Sequence, residues 1–332
     1  MSKIESISYT DDLYNGLRNL LSDSQYKPYR YLHRYVGDEL VDMWQDIIAD
    51  LLREEGNIFT QTLGSEIVGI VVCQDRSWES DVIGHKAAEI KYLITSKKIN
   101  NEDIVLDHLL EQSIEWAQRH EIHYLLCKTN CDNIQSANAL EKKGFLLTDT
   151  LLDYVYDMKK DPLENITIPP LYNGVTLRHA VPDDIEALVS VAQAAFSTHF
   201  GRFHQDDRLD NKRATHVYEE WIKASCTGYA DWVVVAEMNG CIAGYSVWKK
   251  PSPREKKLSK RIGHYSIGAV HPDFAGHGLF SSLTYRGMQH LSTCSDCIEG
   301  PTHINNYGVQ KAYSRLAWRI CDARHSFRLW LS

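Results

Sequence analysis

The chain has 332 residues, 43% of them apolar and 24% charged, with a formal net charge of −8 at pH 7. That length accommodates two domains with full cores, and the composition is that of an ordinary soluble protein. The acidic balance without a basic run excludes nucleic acid as the main partner, and no stretch approaches the roughly 18 apolar residues of a membrane helix.

Met1–Tyr14 is polar and carries no signal-type apolar region. The eight cysteines are scattered, several in apolar runs such as Ile70–Cys73 and Cys241-Ile242. This usage is expected of reduced, buried thiols in a cytoplasmic protein. Cys294 and Cys297 have zinc-like spacing but no second pair, so no metal is expected.

In chain order, residues 11–55 read as helical, first through Leu13, Leu17, Leu20 and Leu21, then through Leu40, Met43, Ile47, Leu51 and Leu52. A hairpin follows, 57–63 and 67–73 about a Gly64-Ser65-Glu66 turn. Ile90–Ile94 reads as a strand, 103–119 as a helix and Tyr124–Cys127 as a strand. Asn138–Phe145 closes another helix, and Tyr154–Met158 is the last strand of this half. Pro162, Pro169-Pro170 and Asn173-Gly174 mark a linker over 161–174, between domains expected at 1–160 and 175–332.

The order then repeats. Helices are expected at 182–196 and 211–224, then a hairpin whose strands, Trp232–Ala236 and Ile242–Trp248, flank an Asn239-Gly240 turn. Strand Tyr265–Val270, a helix from Leu279, strand Cys297–Gly300 and a helix over 306–317 complete it. Ile67-Val68-Gly69 answers Ile242-Ala243-Gly244 at an offset of 175, and Ala139–Phe145 answers Ala312–Trp318 at 173. Two anchors at nearly one offset point to an internal duplication. The expected class is α+β, with mixed sheets flanked by helices in both domains.

The two halves differ between strand and helix. Val270-His271-Pro272-Asp273-Phe274-Ala275-Gly276-His277-Gly278-Leu279-Phe280-Ser281-Ser282-Leu283 leads a strand into a helix through two glycines. Such a loop presents backbone N–H groups at a helix N-terminus, with no Cβ in the way of a diphosphate. The corresponding Thr95–Glu102 has no glycine.

The glycine segment resembles the acyl-CoA-binding motif of the GNAT superfamily of N-acetyltransferases, through Val270, Pro272, Phe274, Gly276, Gly278, Leu279 and Leu283. Ala275 stands where the motif usually has Arg or Gln, which removes a possible side-chain phosphate contact. Asn306 and Tyr313, seven apart and so on one helix face, are similar to the superfamily's Asn-x-x-Ala-x-x-x-Tyr helix. The resemblance implies tandem GNAT-like domains, the first degenerate, with acetyl-CoA as cosubstrate of the second. It places Ala269, Val270, Ala275, Gly276, His277, Gly278, Leu279, Phe280 and Asn306 at the coenzyme. It makes Tyr313 the general acid at the departing thiolate, an effect of about 10²–10⁴-fold. For the base, Glu299, His303 and His271 stay open, each with a plain structural alternative.

The segment 202–228, with Arg202-Phe203, Tyr218, Trp221-Ile222 and Gly228, resembles dTDP-fucosamine acetyltransferases, which act on a dTDP-linked 4-amino-4,6-dideoxyhexose. That implies a nucleotide-linked amino-sugar acceptor, bound through Arg202, Phe203 and Arg208, in polysaccharide biosynthesis. Arg213, Tyr218 and Trp221 are further candidates, the last two equally explained as core. The longer first half departs from that group and leaves the sugar open. Another small amine or peptide N-terminus as acceptor, or a non-catalytic acyl-CoA-binding module, are the alternatives. A homodimer is compatible with the sequence, which does not fix the oligomeric state.

Overall fold

The computed structural model describes residues 11–32, 37–53, 57–168 and 170–332. The chain divides into two compact units, Met1–Asp149 with Arg324–Ser332, and Thr150–Ala323.

The first unit contains helices α1 (Asp11–Asp23) and α2 (Glu39–Arg53), and the hairpin β1 (Asn57–Leu63) and β2 (Glu66–Asp75). Short helix α3 (Ser77–Ile83), β3 (Ala87–Thr95), α4 (Glu102–Arg119), β4 (Tyr124–Asn130) and α5 (Ile134–Lys142) follow. The part of the 11–55 reading beyond residue 53 lies outside the described residues. Val68–Cys73 of β2 is buried without interruption, as in a strand covered on both faces. On one face Leu17, Leu21, Trp44 and Ile48 pack against Ile70 and Val72. On the other, Leu106, Leu109, Leu110 and Trp116 pack against Val71 and Cys73.

Strand β5 (Leu146–Asp157) is longer than the sequence signal at Tyr154–Met158, because Thr148, Asp149 and Asp153 are buried polar residues that break the apolar alternation. The second unit continues with β6 (Val175–His179), α6 (Ile185–Phe196), α7 (Asn211–Ala224), β7 (Trp232–Met238) and β8 (Cys241–Lys249). It ends with β9 (Ile262–Val270), α8 (Leu279–Leu291), β10 (Cys297–His303), α9 (Tyr307–Arg315) and the start of β11 (Arg319–Trp330). Within the expected linker, Leu163, Ile166 and Ile168 pack on the core of this unit.

Each unit is completed by a strand from the opposite half of the sequence. Arg324–Trp330 pairs antiparallel with β4 in the first unit, and Leu151–Asp157 pairs antiparallel with β10 in the second. The strand order is β1-β2-β3-β4-β11 in the first unit and β5-β10-β9-β8-β7-β6 in the second. The duplication extends through the elements. Asn57 and Trp232, Glu66 and Cys241, and Ala87 and Ile262 open matching strands 175 apart; Tyr124 and Cys297, Ile134 and Tyr307, and Leu146 and Arg319 open matching elements 173 apart.

Two features of the second unit shape its site. Val247 faces Ile267 but Trp248 faces Tyr265, so Ser266 is an extra residue in β9, a bulge that bends the strand. Strands β9 and β10 then pair in parallel only from Ile262/Cys297 to His264/Glu299, and diverge beyond. Helix α8 crosses this region with Gly287 directly over buried Trp248, whose Nε1 donates to Ser246 Oγ at 2.8 Å.

The eight cysteines are unbridged; Cys73, Cys127 and Cys297 are buried. Cys241 departs from the buried-thiol reading, because it opens β8 directly after the Asn239-Gly240 turn and is exposed.

A Cβ at residue 287 would lie 1.8 Å from the Trp248 ring. Gly287→Ala should therefore destabilise the protein by about 1–3 kcal/mol or more, measured by urea denaturation. An unchanged midpoint would contradict this packing.

Candidate functional site

The diverging ends of β9 and β10 open into a cavity of ≈ 870 Å³ in the second unit, within the size range of small-molecule sites. One wall is the strand end Gly268–Val270. A second is the loop and helix start Phe274–Ser281, and a third is α9 with Asn305 and Asn306. Ala195, Phe196, Thr198, His199, Phe200 and His303 line another part, and Pro170 and Tyr172 also border it.

Gly276 and Gly278 have φ of 85° and 73°, a left-handed conformation that glycine adopts without strain. A Cβ at either would meet nothing within 4 Å, so the space before the loop is open. The first helical bond of α8 is made by the Ser282 N–H to Gly278 O at 3.2 Å. The preceding N–H groups, Leu279–Ser281, thus have no carbonyl within the helix and mark its positive end. The His277 ring is fixed by Phe274 O at 3.2 Å and by an edge contact with Tyr172.

All nine residues expected at the coenzyme, Ala269, Val270, Ala275, Gly276, His277, Gly278, Leu279, Phe280 and Asn306, line this one cavity. Asn306 Oδ1 also caps α9, accepting the Val309 N–H at 3.3 Å. Its counterpart Asn133, 173 residues earlier, caps α5 in the same way at 3.1 Å. Capping is therefore common to both halves, whereas the glycines are confined to the second. At the matching place in the first unit, Glu102 opens α4 and accepts from Thr95 Oγ1 at 2.6 Å. A carboxylate there repels phosphate.

Tyr313 lies behind the cavity wall rather than in it. It is fully buried, stacked on Trp318 at 4.7 Å, with Tyr154 at 5.0 Å and Phe280 at 6.2 Å. Its hydroxyl has no hydrogen-bond partner among the described residues. Burial, reinforced by neighbouring Tyr265 and Tyr154, raises its pKa well above the usual phenol value, so it keeps its proton.

His303 lines the cavity and is 8% exposed. Its Nδ1 accepts the Asn305 N–H at 3.0 Å, so the neutral ring carries its proton on Nε2. Glu299 stays outside the lining, 4.0 Å from His264 Nδ1. His271 also lies outside it, with its Nδ1 accepting the Asp273 N–H at 3.3 Å. Phe203 is 3% exposed with the Arg202 guanidinium over its ring at 4.6 Å, and Arg208 is exposed nearby; none of the three reaches the lining.

Sequence reading missed His199 and Phe200, which follow α6 in a loop without periodicity. It also missed Lys311 and Arg315, whose only signal is their four-residue spacing on a helix without acids. His264 is a further omission. It holds the last paired position before β9 leaves β10 and bonds Glu255 Oε1 at 2.8 Å. Among the described residues no cluster of His, Cys, Asp and Glu could hold a metal, and no helix is long and apolar enough to cross a membrane.

Comparison with known proteins places this architecture. No family model matches the chain. A tandem GNAT protein from the clavulanic acid biosynthesis pathway superposes with a TM-score of 0.58 at 14% identity, over 97% of this chain and 96% of that one. The fold is therefore that of a tandem GNAT protein. Two relatives lie nearer in sequence. The chain is 22% identical over 273 residues to the spore coat polysaccharide biosynthesis protein SpsD of Bacillus subtilis, covering 80% of this chain and 85% of that protein. It is 33% identical over 135 residues to the mycothiol acetyltransferase of Streptomyces coelicolor, covering 39% of this chain and 38% of that protein.

Burial lowers the His264 pKa, but the Glu255 hydrogen bond and the charges of Glu255 and Glu299 outweigh it, so the net shift is upward from 6.5. A raised folded-state value means stabilisation that is complete below the unfolded pKa, near 6.5, and lost as pH rises through the folded one. The stability advantage of the wild type over His264→Gln should therefore shrink as pH rises above 6.5, measured by urea denaturation at a series of pH values. A constant difference would contradict the pairing.

Proposed function

We propose that this chain is an acetyl-CoA-dependent N-acetyltransferase whose acceptor is the amine of a nucleotide-linked amino sugar, of the dTDP-4-amino-4,6-dideoxyhexose type. The observation that carries the reading is one cavity that joins a glycine-shaped helix N-terminus, a strand end freed from its neighbour, and a His- and Phe-lined region. The open cradle before Gly276 and Gly278 fits a bound acyl-CoA, and the buried Tyr313 hydroxyl, without a partner among the described residues, lies behind the wall of the same cavity.

Acetyl-CoA, when bound, supplies the acyl thioester. The N–H groups at 276–281 hold a diphosphate at the positive helix end. The backbone of Gly268–Val270, released from β10, offers hydrogen bonds to an extended amide-bearing arm and to the acyl oxygen. Asn306, its Oδ1 already capping α9, has its Nδ2 donors for the same arm. Tyr313 keeps its proton at neutral pH and serves as the acid for the departing sulfur.

Phe200, 55% exposed, gives the apolar face of a sugar ring a flat partner, and the His303 ring lies beside it at 6.5 Å. The proton lost by the attacking amine goes through water to Glu299, which stands outside the lining beside His264. Arg202, Phe203 and Arg208 lie outside the lining and set the shape of the acceptor loop. The sugar assignment draws support from SpsD, whose name places it in polysaccharide synthesis. The likeness to mycothiol acetyltransferase favours a second reading, in which another small amine is the acceptor. The site of action is the cytoplasm, and the first unit binds no acyl-CoA.

The test is release of CoA thiol from acetyl-CoA with dTDP- and UDP-linked 4-amino-6-deoxyhexoses, against simple amines. Turnover with a nucleotide sugar alone is expected; equal turnover with free amines would favour the second reading, and binding without release a non-catalytic role. Tyr313→Phe should lower kcat by roughly 10–10⁴-fold and leave the acetyl-CoA Kd nearly unchanged. Because the hydroxyl is buried without a partner, the variant should be no less stable. Full activity in Tyr313→Phe would make the tyrosine structural. Gly276→Val should abolish acetyl-CoA binding by straining the loop and filling its cradle, and an unaltered Kd would remove the diphosphate from this loop.

A further inference from the structure

We infer that Lys311 and Arg315, on one face of α9, form a second phosphate subsite in the cavity, separate from the glycine loop. The inference deepens the proposed function and rests on its acyl-CoA reading.

The two cations are four residues apart, so their side chains emerge on the same face about 6 Å apart along the axis. Both line the cavity and both are exposed there. Among the described residues, neither is ion-paired or bonded to another side chain. Carboxylates outnumber cations in this chain, 44 to 36, yet no Asp or Glu lines the cavity. Two cations left without counter-ions in a wall free of acids create a local positive field in an acidic protein, and such a field draws anions.

The glycine loop already has backbone donors for a diphosphate, and Ala275 there supplies no side-chain charge. Lys311 and Arg315 come from a different element and bring the charge that the loop lacks. Arg presents a planar fork suited to two phosphate oxygens, and Lys a point charge beside it. The ligand they fit is a phosphate other than the diphosphate at the glycine loop. It has two sources, the 3′-phosphate of CoA or the diphosphate of a nucleotide-linked acceptor.

The experiment is isothermal titration of the full chain and of the Lys311→Gln/Arg315→Gln double variant with CoA, 3′-dephospho-CoA and dTDP. Both residues are exposed, so the variant should melt with the wild type. If the 3′-phosphate is the ligand, the variant loses about 10–100-fold in CoA affinity and less than about 3-fold for 3′-dephospho-CoA. If the acceptor diphosphate is the ligand, dTDP binding falls by a similar factor and both coenzymes are unaffected. In either case the steeper salt dependence of the wild type should flatten in the variant. Unchanged affinity for all three ligands, or equal loss for CoA and 3′-dephospho-CoA, would overturn the subsite while leaving the acyl-CoA reading intact. Failure of the wild type to bind either coenzyme would instead remove the reading on which it rests.

Discussion

The second unit depends on one interruption of a β-ladder. Strands β9 and β10 share only three paired positions before parting, and the Ser266 bulge bends β9 at that point. A strand that leaves its neighbour gives up hydrogen bonds, which is tolerated only where another partner replaces them. Here the gap is bordered by helix α9 and the glycine loop, and residues from three directions line one cavity. An extended, amide-bearing ligand is the kind of partner that restores what the ladder lost.

The duplication shows how little separates the two units. Strand and helix starts repeat at offsets of 175 and 173, and even the Asn caps of α5 and α9 recur. The cap therefore belongs to the scaffold. What differs is the short connection before α4 and α8, with Glu102 and Asp103 in one first turn and Gly276 and Gly278 before the other. Acidic side chains satisfy the helix dipole from within, whereas glycines leave that positive end for a ligand. Two or three residues in one loop are enough to distinguish the units.

Much of this was legible in the sequence because it is local. The Asn239-Gly240 turn, the apolar runs of β2 and β8, and the spacing Gly276-x-Gly278 before Leu279 and Leu283 each specify their own element. The glycines also led to residues that share one wall of the cavity. What stayed hidden depends on tertiary context. Strands β5 and β11 carry buried polar residues such as Asp153 and Ser326, so their alternation is broken, and no local pattern shows that each completes the unit of the other half. Phe203 read as a substrate contact because an exposed and a buried aromatic look alike in sequence. His199, Phe200, Lys311 and Arg315 gain meaning only when α6, α9 and the diverging strands meet.

The central claim, that acyl-CoA binds the glycine loop of the second unit and not its counterpart in the first, is tested most directly by hydrogen exchange with and without acetyl-CoA. Amide groups in 271–283 should exchange more slowly with ligand bound, and those in 96–106 should be unaffected. Protection of 96–106, or none in 271–283, would contradict the account.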